Sequence, residues 1–371
     1  MNGSYKYSFD SIRIIVAIFF FFFAYNLKIG LGAVISIMSG FSIPFIFMVF
    51  GFLTLSYRKG KKTLLRFTKR NFMVFCFFAI GYFLLNFALA YYRGRFLTVS
   101  VKQILNLLIF NVWPFRIGKI LWMPLSLTYA GVIFWLLKKY GLLQKRWLRA
   151  VLLVVTLFIG IFSSEFAGVF GLPLLEKCFI TRAIPHMLIG CVIYHHRKQL
   201  KKLTPAEITG IILLGAFLSY VEFYVLSKLG VEFLLGNTIG NIITAIGVML
   251  ICIRVPNLGR ATNLHKLKSA VSWMILLSDP IGLALQFYIP ELETELSYLR
   301  PFMVLLVSFG MGLVFDIFYR YGKKMYRSYK KELRKDAHSS HHHSSHHHSS
   351  HHHSHHHHSS TDENAATQNN E

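Results

Sequence analysis

The chain has 371 residues, 54% of them apolar and 16% aromatic, with 35 Phe and a mean hydropathy of +0.47. That bias over that length excludes a water-soluble globular domain and points to a multi-spanning membrane protein. The net charge of +24 would suit nucleic acid, but its placement assigns it to anionic membrane lipid and excludes a nucleic-acid partner.

Apolar runs fall at 12–31, 33–56, 71–91, 118–137, 149–164, 179–195, 207–227, 238–253, 269–289 and 299–319. They predict about ten spans. No small-residue cleavage site follows the first run, so it reads as a retained span. The segments after even-numbered runs (58–70, 138–149, 197–202, 254–268 and 320–335) hold 28 of the 40 Lys and Arg. Those after odd-numbered runs hold Glu165, Glu176, Glu232, Glu291, Glu293 and Glu295. This alternation predicts both termini on the cytoplasmic face. The expected fold is an all-α polytopic transmembrane bundle over 1–325, followed by a cytoplasmic, disordered His/Ser-rich tail over 326–371.

The first run opens with Asp10 and Arg13, which share a helix face and can pair. Ala24 lies eleven residues beyond Arg13; at about 100° per residue it returns to nearly the same face, roughly three turns deeper. In the second run Pro44 removes a backbone donor and predicts a kink or break. The basic segment 58–70 then places Arg66 and Arg70 on one face of a helix. Two readings fit: a lipid-headgroup anchor, or a cradle for phosphates, which guanidinium forks suit.

The stretch 104–110 is amphipathic and is expected to lie on the membrane plane. Trp122 opens the fourth run, where tryptophan is usually an interfacial anchor. His186 is the one histidine well inside a run, His195 and His196 lying at the cytoplasmic edge, and it reads either as a hydrogen-bonded structural group or as a functional titratable one. Glu222, between Tyr220 and Tyr224, sits deep in the seventh run. A carboxylate there costs about 2.5–3.5 kcal/mol to insert, so it should face the bundle and have a partner. Asp279 lies mid-run just before Pro280, and Asp316 near the end of the last. Cys76, Cys178, Cys191 and Cys252 are scattered singly and give neither a disulfide framework nor a zinc spacing. No metal site is expected in the bundle. From 337 onward the chain holds 14 of its 18 histidines and too few apolar residues for a core. Those histidines read either as a divalent-metal chelator or as an added purification segment.

Asp10 and Arg13, the Pro44-Phe-Ile-Phe-Met run with Gly51-Phe-Leu53, Arg66 and Arg70, Leu121-Trp122, Thr181-Arg182, Ile184-Pro185 with Leu188-Ile-Gly190, and Ser272-Trp273 with Leu276-Leu277 follow one order and spacing. In these motifs the chain resembles the integral-membrane acyltransferase family 3. Within it the resemblance is strongest to the membrane portion of vancomycin-resistance membrane-bound serine racemases, over roughly 7–324. Nothing after the tenth run resembles the racemase catalytic domain, and no appended esterase-like domain is expected.

The resemblance implies a protein of the bacterial cytoplasmic membrane that moves an acyl group, on family precedent acetyl, from acyl-CoA. The acceptor would be a hydroxyl on a cell-surface glycan, lipid or small molecule. Acyl-CoA is the donor substrate, and no tightly bound cofactor is expected. It also implies Arg13, Arg66 and Arg70 as ligands for the donor's phosphates and Asp10 and Arg13 in the catalytic set. The family's first span carries Arg, ten residues, then a histidine as general base; here Arg13 keeps its place and Ala24 takes the histidine's. A second family histidine is replaced by Ser278-Asp279. A positioned base is worth about 10²–10⁴-fold and a methyl group accepts no proton, so Asp279, Glu222 and His186 become candidates for a relocated base. The alternative is a relative that has lost the chemistry and acts as an amino-acid or small-molecule transporter, or as a partner of an envelope enzyme.

Overall fold

The computed structural model describes residues 4–25, 31–56, 60–165, 177–228, 238–262 and 264–343. Among these residues every regular element is helical. Hydrocarbon offers the backbone no partners, so apolar runs rich in Phe, Ile, Leu and Val close their hydrogen bonds within the segment. The α-helices are α1 (Ser4–Ala24), α2 (Leu31–Met38), α3 (Ser42–Ser56), α4 (Gly60–Tyr92), α5 (Val101–Phe110) and α6 (Trp122–Lys139). They continue as α7 (Arg146–Glu165), α8 (Ala183–Leu200), α9 (Pro205–Lys228), α10 (Ile239–Arg254), α11 (Lys268–Tyr288) and α12 (Arg300–His343).

Each of the ten apolar runs overlaps a helix. Among the described residues seven segments are long and apolar enough to cross a membrane: Tyr7–Ala24, Val34–Ser56, Leu64–Tyr92, Lys119–Lys139, Pro205–Lys228, Leu264–Tyr288 and Arg300–Tyr329. The runs at 149–164, 179–195 and 238–253 fall short of that standard. α10 has 16 residues, below the roughly 20 that a bilayer core needs. α7 begins on Arg146 and Arg149, and α8 ends on two histidines, Arg197 and Lys198.

The break expected near Pro44 is present one turn earlier. A 3₁₀ segment, Ser39–Phe41, separates α2 from α3. Pro44 itself sits in the first turn of α3, where its missing N–H has no intrahelical partner to lose.

Helix α3 packs along α8, α4 along α6, and α9 along α10, while α1 runs against α3 and α11. The α3–α8 contact is a close backbone approach. A Cβ on Gly51 would lie 1.9 Å from the Met187 carbonyl, and one on Gly190 would lie 2.0 Å from the Met48 carbonyl. Two small residues thus let the backbones meet, the device by which membrane helices gain dispersion contacts without a hydrophobic drive. Around this seam lie the fully buried Phe45, Phe47, Phe52, Met48, Met187 and Leu188. Trp122 belongs here too. It is buried, its ring 6.0 Å from that of Phe47, so it is a core residue and not the interfacial anchor its position suggested.

The described residues up to Ile317 form one compact unit, and those from Phe318 onward belong to a second. Helix α12 continues to His343, past the boundary expected at 325/326, so the tail begins as helix. Lys, Arg, Glu and Met between 323 and 335 are good helix formers. The remainder of the expected disordered tail, 344–371, lies outside the described residues.

Candidate functional site

Helix α1 buries one stripe, Phe9, Ile12, Val16, Ala17, Phe20 and Phe21, at the spacing a 3.6-residue helix requires. Asp10 and Arg13 flank the start of that stripe and open on a cavity of about 410 Å³. Its other walls come from α3 (Val49, Phe50, Leu53, Thr54), α4 (Leu64, Arg66, Phe67, Arg70) and the first residue of α11, Lys268. The structure therefore brings together Asp10, Arg13, Arg66 and Arg70, which are up to 60 residues apart in sequence.

The rings of Phe50 and Phe67 lie 4.6 Å apart at the cavity wall. The Arg13 guanidinium stands 5.6 Å over Phe50 and that of Arg70 5.7 Å over Phe67. Two cations are thus held on an aromatic pair, an attraction of about 0.5–1 kcal/mol each at exposed sites. It offsets part of the repulsion between Arg13 and Arg70, which are near enough to act on one another. Behind the wall, Lys138 Nζ donates to the Thr54 carbonyl at 2.8 Å.

The expected Asp10–Arg13 pair is not the one formed. Lys268 Nζ donates to Asp10 Oδ2 at 2.9 Å. The first turn of α11 projects into the cavity mouth and its ammonium reaches the carboxylate first. Lys268, Phe50 and Phe67 were not singled out from sequence. Lys268 lies in a segment already read as basic, and nothing local distinguishes it from its neighbours. The lining holds four cations and one carboxylate, an excess positive charge that a phosphorylated ligand would neutralise through bidentate guanidinium contacts.

The other candidate residues are elsewhere. Ala24, at the far end of α1, is exposed and does not line the cavity. His186 is fully buried in α8, and its Nδ1–H donates to the Arg182 carbonyl one turn back. Glu222 receives the N–H groups of Ile239 and Gly240 at 3.1 and 3.2 Å. It caps the N-terminus of α10 from α9, where a carboxylate is favoured by the helix dipole. The partner expected for this intramembrane acid is therefore a helix end.

Asp279 Oδ2 accepts the Ile120 N–H at 2.9 Å, with Lys119 and Lys177 close enough to act on it. The carboxylate ties the 3₁₀ turn Lys119–Leu121 to α11. Pro280 lies inside α11 and withdraws the N–H that would otherwise bond the Leu276 carbonyl four residues back. The Tyr82 hydroxyl, from α4, donates to that carbonyl. Asn86 extends the same seam, donating to the Tyr82 and Ile117 carbonyls and accepting the Ile117 N–H.

Asp279 is also near enough to Tyr25, next to Ala24, to act on it. The candidate base therefore stands by the opposite end of α1 from Asp10. Those ends are about 22 Å apart at 1.5 Å per residue, and Val16, Ala17, Phe20 and Phe21 are packed between them. The chain matches no protein-family model, no curated protein and no solved structure.

Proposed function

We propose that the protein is a membrane-embedded O-acyltransferase whose cavity between α1, α3, α4 and α11 takes the phosphates of an acyl-CoA donor. The convergence of Arg13, Arg66, Arg70 and Lys268 on one cavity of about 410 Å³ carries this reading. Apolar walls of Phe9, Phe50, Leu53 and Leu64 beside those cations suit a donor that is anionic at one end and neutral along its arm. The acceptor is a hydroxyl of an envelope glycan, lipid or small molecule. Helix α1 then carries phosphate ligands at one end and, about 22 Å away, the carboxylate of Asp279 near the other.

The proposed topology is ten spans in the bacterial cytoplasmic membrane, both termini cytoplasmic. It rests on the 28 Lys and Arg placed after even-numbered runs. In intact cells carrying Cys76→Ser, a membrane-impermeant maleimide should label Glu295→Cys and spare Lys201→Cys; the reverse pattern inverts the topology.

A second reading is favoured by a specific observation. Asp279 and Glu222 are occupied by backbone N–H groups, and Asp10 is paired with Lys268. A catalytically lapsed relative, acting as a transporter or a partner of an envelope enzyme, needs no free base.

Acetyl-CoA titrated into the purified protein separates the readings, with thiol release followed in the same samples. Saturable binding that weakens in Arg66→Ala and Arg70→Ala, with slow release of free CoA, supports acyl transfer. Binding without thiol release, under any acceptor extract, supports the lapsed relative. No binding removes the donor assignment altogether.

A further inference from the structure

We propose that a groove between α4, α5 and α6, separate from the cationic cavity, binds one acyl chain of an anionic phospholipid, whose phosphate is held by Lys69. Helix α5 is well formed at both ends. Ser100 and Gln103 make a reciprocal capping box at its N-terminus. At its C-terminus Asn111, in the left-handed region at φ 50°, donates to the Ser126 hydroxyl and the Lys177 carbonyl, both at 2.8 Å, and accepts the Phe179 N–H at 3.0 Å. Yet no residue of α5 is buried. The helix is pinned at one end and stands off from its neighbours, leaving a space of about 530 Å³ between Leu107 and Leu108 and the facing α4 and α6.

The chemistry of that space is one-sided. Leu65, Phe72, Leu125 and Val132 line it. Its two threonines have spent their hydroxyls on their own helices, Thr68 on the Leu64 carbonyl and Thr128 on the Pro124 carbonyl. The wall therefore presents methyl groups and the rings of Phe72, Phe75 and Tyr129. Leu65, Phe72, Leu108 and Val132 are about half exposed along this open groove, and in a bilayer the material that covers it and supplies the missing dispersion contacts is hydrocarbon. Among the described residues Lys69 is the one charged residue that lines the groove, and no carboxylate lines it. It lies on α4 between Arg66 and Arg70, roughly 80° around the helix from them, and no residue of α4 lines both the groove and the cationic cavity. A single ammonium on the wall of an apolar trough matches a phosphate joined to an acyl chain.

The test uses the full-length protein in vesicles containing phosphatidylglycerol or phosphatidylcholine, each with a diazirine in one acyl chain. Photolabelled peptides are mapped by mass spectrometry. Phosphatidylglycerol should label 65–75, 104–110 and 125–132 above all other lipid-facing segments. Val132→Trp, and independently Leu108→Trp, should remove that excess by filling the trough from either wall. Lys69→Gln should lower the preference for phosphatidylglycerol over phosphatidylcholine by about five-fold, the weight of one basic residue at an anionic surface. Label spread evenly over all helices and unmoved by either tryptophan variant would overturn the site. Equal labelling by both lipids in the unaltered protein would overturn the anionic headgroup.

Discussion

Asp10→Asn removes the one negative charge in the cationic cavity without changing its volume, so its effect on an anionic ligand is a charge calculation. The carboxylate lies 2.9 Å from Lys268 and one turn from Arg13. A phosphate on Arg13, Arg66 and Arg70 would therefore sit roughly 7 Å from it, one to two side-chain contacts away. At that separation, with an effective dielectric of about 20–80, removing the charge favours each unit of ligand charge by about 0.6–2.4 kcal/mol. The side chain of Asp10 is 14% exposed and that of Lys268 36%; with salt at 0.15 M, where screening sets in at about 8 Å, the effect belongs in the lower half of that range, about three- to ten-fold in affinity. Lys268→Met should weaken binding by a similar factor. The double variant should return close to the starting value, because the net charge of the lining is restored. The assay is titration calorimetry with acetyl-CoA in detergent, repeated at three salt concentrations. Weaker binding in Asp10→Asn would refute the reasoning. It would mean that Asp10 organises the arginines and does not compete with the ligand for them.

Arg66→Lys and Arg70→Lys should each weaken acetyl-CoA by about ten-fold although charge is kept, since a charged hydrogen bond worth about 1.5–3 kcal/mol is lost with the fork; calorimetry reads this directly. Gly190→Ala drives a methyl against the Met48 carbonyl and should cost about 1–3 kcal/mol as an overpacked contact. Faster maleimide modification of the neighbouring buried Cys191 would register the loosening. Tyr82→Phe leaves the Leu276 carbonyl beside Pro280 without its donor, at a cost of about 1–3 kcal/mol. Denaturation in mixed micelles should move accordingly.

The helices were legible because their signal is continuous. Runs of Phe, Ile and Leu with few interior charges leave a chain in hydrocarbon no alternative to helix, and all ten runs overlap one. What could be read of the cavity were its arginines. Arg13, Arg66 and Arg70 stand out as guanidinium groups at run boundaries, and they do meet. Lys268 could not be found, since its role depends on where the first turn of α11 docks, and sequence does not fix a contact across 258 residues. Trp122 misled for a related reason. Position in a run gives depth along the membrane but not which side of the helix faces protein. Asp279 and Glu222 were located as costly carboxylates, but the groups that satisfy them are backbone N–H groups, which carry no sequence signature.

The carboxylate of Asp279 cannot be assigned a chemical role from position alone, because it already has a structural one. Pro280 opens the hydrogen-bond ladder of α11, and two residues repair the region from outside: Tyr82 on the freed carbonyl, Asp279 on the incoming turn at Ile120. The carboxylate is held by the Gly118 N–H as well as that of Ile120, and a base must be held in position to act. Asp279→Asn tests which role dominates, because an amide keeps an oxygen for the Ile120 N–H and loses proton affinity. If acyl transfer falls at least about 100-fold, the lower bound for a positioned base, while micelle stability and acetyl-CoA affinity hold, Asp279 is the base that replaces the histidine expected at Ala24. If stability and turnover fall together, the residue is a tether. Ala24→His is then the informative variant, since a turnover gained there would mean the cavity, the donor and the acceptor path survive and only the proton acceptor has been lost.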